Sequence, residues 1–164
     1  MTYAVHDLVG AQAIADTSTT QNHNLGTIVR ASDPTYGQAE FIYLKGIGST
    51  AVGSVVTYDT STYLTTLSAV GGSIARPVAV AMSANVASSF GWYQISGIAV
   101  VKKQCTVSLA AGAAVGVMST GLIAGTASLK EIFGAVVHAV ASATAGRTTV
   151  QVVINRPHKQ GRIS

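Results

Sequence analysis

A chain of 164 residues fits a single domain with a real core, and its lone cysteine, Cys105, excludes a disulfide framework. Only 10% of the residues are charged while 48% are hydrophobic, mostly Ala and Val, so a freestanding monomer would be thinly protected against association. The net charge of +4 is uneven: residues 101–164 hold seven of the ten Lys/Arg but one carboxylate, Glu131. This composition points to a subunit of a larger assembly rather than to a freestanding enzyme.

Residues 1–37 are rich in Gln, Asn, Thr, Asp and His, with turn-forming runs such as Asp16-Thr17-Ser18-Thr19-Thr20. They read as an extended N-terminal arm ordered mainly by neighbours, with one strand-like piece, Leu25-Gly26-Thr27-Ile28-Val29-Arg30. On this reading, deleting residues 1–23 leaves the body folded and weakens binding to a partner. Residues 1–10 include Asp7 and show neither a basic start nor an apolar run, so no secretory leader is expected.

Residues 38–164 read as one β domain. Residues 39–45 alternate Ala39, Phe41 and Tyr43 with Glu40, Ile42 and Leu44, a strand with two partly apolar faces. Residues 54–58 and 63–67 flank Asp59-Thr60-Ser61-Thr62, a four-residue hairpin loop. Further strands are expected at 77–82, 91–101, 106–109, 114–118, 134–141 and 148–154, with a single helical turn at 128–133. The turn spacing is that of a compact sandwich or barrel of short antiparallel strands, so the fold class is all-β. A faint internal repeat lays Gly53–Tyr58 on Gly112–Val117, residues 74–81 on 132–139, and residues 91–95 on 146–150. It would make residues 50–101 and 110–154 duplicated β-units.

Chemistry is sparse. Gly46-Ile47-Gly48-Ser49-Thr50-Ala51 has the glycine spacing of a dinucleotide loop, but a strand follows where a phosphate-binding helix would have to begin. His6, His23, His138 and His158 lack metal-motif spacing, and no Gly-x-Ser-x-Gly elbow occurs. No catalytic residue, metal or cofactor is expected. The uncharged stretches 77–101 and 104–129 carry too many Ser, Thr, Gln and Asn for a spanning helix, so no membrane partner is expected either. The basic run Arg156-Pro157-His158-Lys159-Gln160-Gly161-Arg162 reads as a solvated tail or one docked on an acidic partner. Three charges without interleaved aromatics are few for direct nucleic-acid binding. Cys105 reads as a small buried residue and Phe41 as core, whereas Trp92 and Tyr93 fit either a core or an interface.

Leu25 to Arg30, Asp33 to Gly46, Pro77-Val78-Ala79-Val80-Ala81 and Gly91-Trp92-Tyr93-Gln94-Ile95-Ser96-Gly97 resemble a family of tailed-bacteriophage head decoration, or capsid cement, proteins. The likeness covers roughly residues 20–105 and contains no signature of known chemical role. It implies a non-enzymatic virion protein on the outer capsid surface, made in the host cytoplasm during assembly. Such a protein is commonly trimeric and clamps neighbouring major capsid subunits. Candidate interface residues are Leu25, Ile28, Arg30, Tyr36, Trp92, Tyr93, Arg156, Lys159 and Arg162. The alternative is a tail or receptor-binding virion component in which Trp92 and Tyr93 face a host glycan. A small hydrolase with an unrecognised triad is the third reading.

Overall fold

Branched and aromatic side chains favour pleated backbone, and the computed structural model is all-β, with twelve strands and no helix among its described residues. Those residues are 2–48, 50–69, 75–104, 108–126, 131–141 and 148–161. In chain order the strands are β1 (Ala4–Val5), β2 (Thr17–Ser18), β3 (Ile28–Asp33), β4 (Gly37–Lys45), β5 (Val55–Tyr58) and β6 (Thr65–Leu67). They continue with β7 (Val78–Ala81), β8 (Phe90–Lys102), β9 (Ala114–Ser119), β10 (Leu122–Gly125), β11 (Glu131–Val137) and β12 (Thr149–Lys159). All strand pairs are antiparallel and join one sheet in the order β1-β3-β4-β8-β12-β11-β9-β10, with β2 and β7 also on β8, and β5 and β6 beyond β7.

β8, with 13 residues, is the spine. Its first half pairs with β4 and its second half with β12, and the sheet forks at Ser96, the partner of both Glu40 and Asn155. The same strand serves three cores. Ala99 and Val101 join Val55, Val78, Val80, Val115, Val117, Ile123, Val152 and Ile154 inside the curl of the sheet. Tyr93 and Ile95 pack with Ile42, Leu44, Val56, Ala79 and Ala81. Trp92 packs with Val29, Ala31, Phe41, Tyr43 and Ile14. β7 shows the period-2 logic plainly, since Val78 and Val80 enter one core while Ala79 and Ala81 enter another. The curl closes where the Gly121 carbonyl accepts from Val55 N (3.0 Å) and Gln104 N donates to Ile123 O (2.9 Å).

Two halves of the body share one strand order, β6-β5-β7-β8 and β10-β9-β11-β12. Each begins with the same turn: Ser54 N donates to Ala51 O, and Ala113 N donates to Ala110 O. Gly53 (φ 81°) and Gly112 (φ 77°) supply the left-handed residue of that turn, a conformation costly for a residue with a Cβ. Each glycine N–H then donates at 2.8 Å, Gly53 to Ala81 O and Gly112 to Val137 O. The glycine turns that open the first repeat segment make matching hydrogen bonds, whereas the pairings of the other two segments are out of step with the sequence alignment. Ala81 corresponds to Val137 rather than Ala139, and the pair Ala81–Tyr93 corresponds to Val137–Val152.

Three further expectations change. Residues 131–133 begin β11 instead of closing a helical turn, because Ile132 is needed in the core of the curl. β10 is an unexpected strand that pairs with β9. The basic run is no tail: residues 156–159 complete β12. Cys105 and the first half of the strand expected at 106–109 lie outside the described residues; Ser108 and Leu109 are described, Leu109 bridging Ala141.

Candidate interaction surface

The N-terminal segment is fastened to its own chain rather than projecting from it. Ile14 is 4% exposed in the Trp92 cluster, with Tyr3, Val5, Leu8 and Leu25 packed around it. Trp92 Nε1 donates to Gln12 O at 2.9 Å, and the Tyr43 hydroxyl donates to Gln12 Oε1 at 3.1 Å. Gln12 N donates in turn to His23 Nε2 at 3.1 Å, and the His23 ring lies 5.0 Å from Tyr43 and 5.4 Å from Trp92. β1 pairs with β3 and β2 with β8. The physical reason is the size of the Trp92–Tyr43–Phe41 aromatic cluster, which open water would leave uncovered.

This packing corrects two candidates. Trp92 and Tyr93 have no exposed surface. The Tyr93 hydroxyl accepts from Asn85 Nδ2 at 2.8 Å, and burial pushes its pKa above the ordinary phenol value. Neither ring can face a glycan in this conformation, which removes the feature that motivated the tail reading. Leu25 is half-buried against the same aromatic cluster, whereas Ile28 is exposed beside it on β3.

Tyr36 is half-buried in the β3–β4 turn. Asp33 organises that turn, its Oδ1 accepting from Thr35 N (2.8 Å) and Tyr36 N (3.1 Å) while Oδ2 accepts from Thr2 N (2.7 Å). Burial raises the Asp33 pKa, but these three backbone N–H groups outweigh it and hold the carboxyl below its ordinary value. Tyr36 lines a shallow cleft with Val100, Val140 and Gln151.

Arg30 and Arg156, 126 positions apart, meet on one carboxylate. Arg30 and Glu40 are directly paired across β3 and β4, and Arg30 Nε lies 3.4 Å from Glu40 Oε1. From the other side, Arg156 donates to Glu40 Oε2 through Nη2 (3.1 Å) and Nε (3.3 Å). Gln38, Ser96 and Asn155 complete the cleft at the fork of the sheet. Arg156 reaches Glu40 because β12 bulges: the register slips between Phe133 and Ala135, and Asn155, Arg156 and Pro157 oppose Gly134 alone. The bulge puts Asn155 and Arg156 both on the surface and resets the alternation beyond them, with Pro157 and Lys159 buried and His158 exposed. Arg156 has φ 42°, a left-handed backbone that costs a non-glycine residue about 1 kcal/mol or more. An exposed ion pair contributes at most about 1 kcal/mol, so the pair with Glu40 does not clearly repay that strain.

Lys159 is buried at 6% exposure, not offered to a partner, and its Nζ donates to Ala69 O at 2.7 Å. Burial lowers its pKa. Arg162 lies outside the described residues.

Sequence reading missed the apolar outer face of β11 and β12. Val136 and Val153 are cross-strand partners and both project outward, 43% and 37% exposed. Ile98 lies opposite Val153 on β8, and Phe133, 40% exposed, packs its ring 5.4 Å from His158. The alternation signal existed, since Val152 and Ile154 point inward. Apolar residues on both faces of β12 gave no clue that one face meets water.

Among the described residues no group of three His, Cys, Asp or Glu is placed to hold a metal. No helix there is long and apolar enough to cross a membrane. Comparison with known proteins finds no family model that matches the chain and no similar curated protein.

Proposed function

We propose that this chain is a non-enzymatic structural virion protein that binds the outer surface of a phage capsid and clamps neighbouring major capsid subunits. The observation that carries this reading is the apolar row of Phe133, Val136 and Val153 on the outer face of β11 and β12, each more than a third exposed. Side chains on paired strands are pre-ordered, so covering them with a partner costs little conformational entropy. The low content of charged residues, 10%, fits a surface largely covered in its working state. The likeness in residues 20–105 to head decoration proteins supports the same conclusion.

Decoration of this kind works by mass action: a protein that binds only the assembled shell stabilises it by its binding free energy. The expected partner is the major capsid protein, the expected state a homotrimer, and the expected location the outer face of the virion. Cosedimentation with purified mature heads tests the proposal. Wild-type protein should pellet with the heads, and Val136→Asp/Val153→Asp should remain in the supernatant with unchanged near-ultraviolet circular dichroism. Wild-type protein left in the supernatant, or a double variant that pellets equally well, would contradict it.

A further inference from the structure

We propose that Arg30 and Arg156 form a binding site for a carboxylate-bearing, acidic segment of the partner, with Glu40 as an internal stand-in that the partner's carboxylate displaces or joins. This rests on the capsid-binding reading and names the partner chemistry of one part of the surface. Both arginine side chains are well exposed, at 67% and 63%, while the Glu40 side chain between them is 20% exposed. Both guanidinium groups thus share the Glu40 carboxylate, while Asp7 Oδ2 accepts from Arg30 N (3.2 Å), and they present two planar forks of the geometry that holds carboxylates by paired hydrogen bonds. Gln38, Ser96 and Asn155 line the same cleft with further polar groups.

Two observations argue that the arrangement is built for an added ligand. Arg156 is displayed by a bulge and a left-handed backbone, a strained conformation whose cost is at least as large as what an exposed ion pair returns. The cleft also adjoins the apolar row, because Asn155 follows Val153 by one outward position on β12 and Val153 faces Ile98 on β8. An extended segment lying across the fork would meet apolar side chains at one end and two arginines at the other.

The probe is hexaglutamate, titrated into full-length protein at low salt while the arginine Nε–Hε signals are followed by NMR. The signals of Arg30 and Arg156 should shift together, and the affinity should fall about tenfold in Arg30→Gln/Arg156→Gln. Glu40→Gln should bind the peptide several-fold more tightly, because the competing internal carboxylate is gone; a merely structural ion-pair cluster would not produce that gain. Peptide that shifts neither signal, or a Glu40→Gln variant with unchanged affinity, overturns the proposal. So does an oligothymidylate of equal charge that outcompetes the peptide, since the site would then be a phosphate reader. Heads separate this proposal from the reading beneath it. Hexaglutamate binding by a protein that ignores heads would support the site and sink capsid binding. Heads that take up Arg30→Gln/Arg156→Gln as well as wild type would sink the site and leave capsid binding intact.

Discussion

Ile14→Ala asks whether the first two dozen residues belong to the folded body. Ile14 is 4% exposed and packs with Val29, Ala31, Phe41, Tyr43 and Trp92. Truncation removes three carbons' worth of buried hydrocarbon at about 0.8 kcal/mol each and leaves a void that rigid strands on one side cannot fill. The sum is about 3 kcal/mol, within the ~2–5 kcal/mol span of such truncations. For a urea dependence of about 2 kcal/mol/M, the unfolding midpoint should fall by about 1.5 M. Trp92, the single tryptophan, sits in the affected cluster and reports the transition by fluorescence. Measurements at one fixed protein concentration keep any self-association constant. A free arm would give almost no change, so a midpoint shift under about 0.2 M would refute the packing described for this segment.

Other outcomes follow from the same reasoning. Gly134→Ala should cost about 2 kcal/mol or more, because at φ 76° an added Cβ would lie 2.8 Å from the Asn155 carbonyl oxygen; a thermal midpoint equal to wild type would count against the bulge. Asp33 has a depressed folded-state pKa, so its contribution is intact above its ordinary 3.8 and is lost as pH falls through the lower folded value. Asp33→Asn should therefore flatten the acid limb of a stability-against-pH curve, and an unchanged limb would refute the role given to its three backbone contacts. Lys159 also has a lowered pKa, but as a base: the unfolded chain holds its proton more tightly, so its effect is a rise in stability with pH from the folded value up to 10.5. The wild-type minus Lys159→Met difference in urea midpoint should climb over that alkaline range, and a flat difference would contradict the burial of this amine.

Much of the β architecture can be read from the chain because local signals suffice for it. Asp59-Thr60-Ser61-Thr62 was readable as a hairpin loop since Asp59 Oδ1 accepts from Ser61 N and Thr62 N within the loop itself. Gly53 and Gly112 mark equivalent turns because the left-handed backbone of each is a local demand. What escaped notice depends on distant partners. The polar residues 1–23 hide a few irregularly spaced apolar side chains whose place is fixed by Trp92, 80 positions beyond Gln12. The basic run conceals a strand because the bulge at Asn155, Arg156 and Pro157 breaks the alternation, and both a proline and a buried lysine argue locally against one. The Arg30–Glu40 pair follows from the β3–β4 register, but Arg156 enters from 116 positions beyond Glu40.

Electron cryomicroscopy of mature and precursor heads mixed with the purified protein tests the central claim most directly. Regular density on the outside of mature heads at local three-fold positions, with the β11–β12 face turned toward the capsid subunits, is the expected result. Bare heads at low salt, or density that presents Phe133, Val136 and Val153 to open solvent, would contradict it.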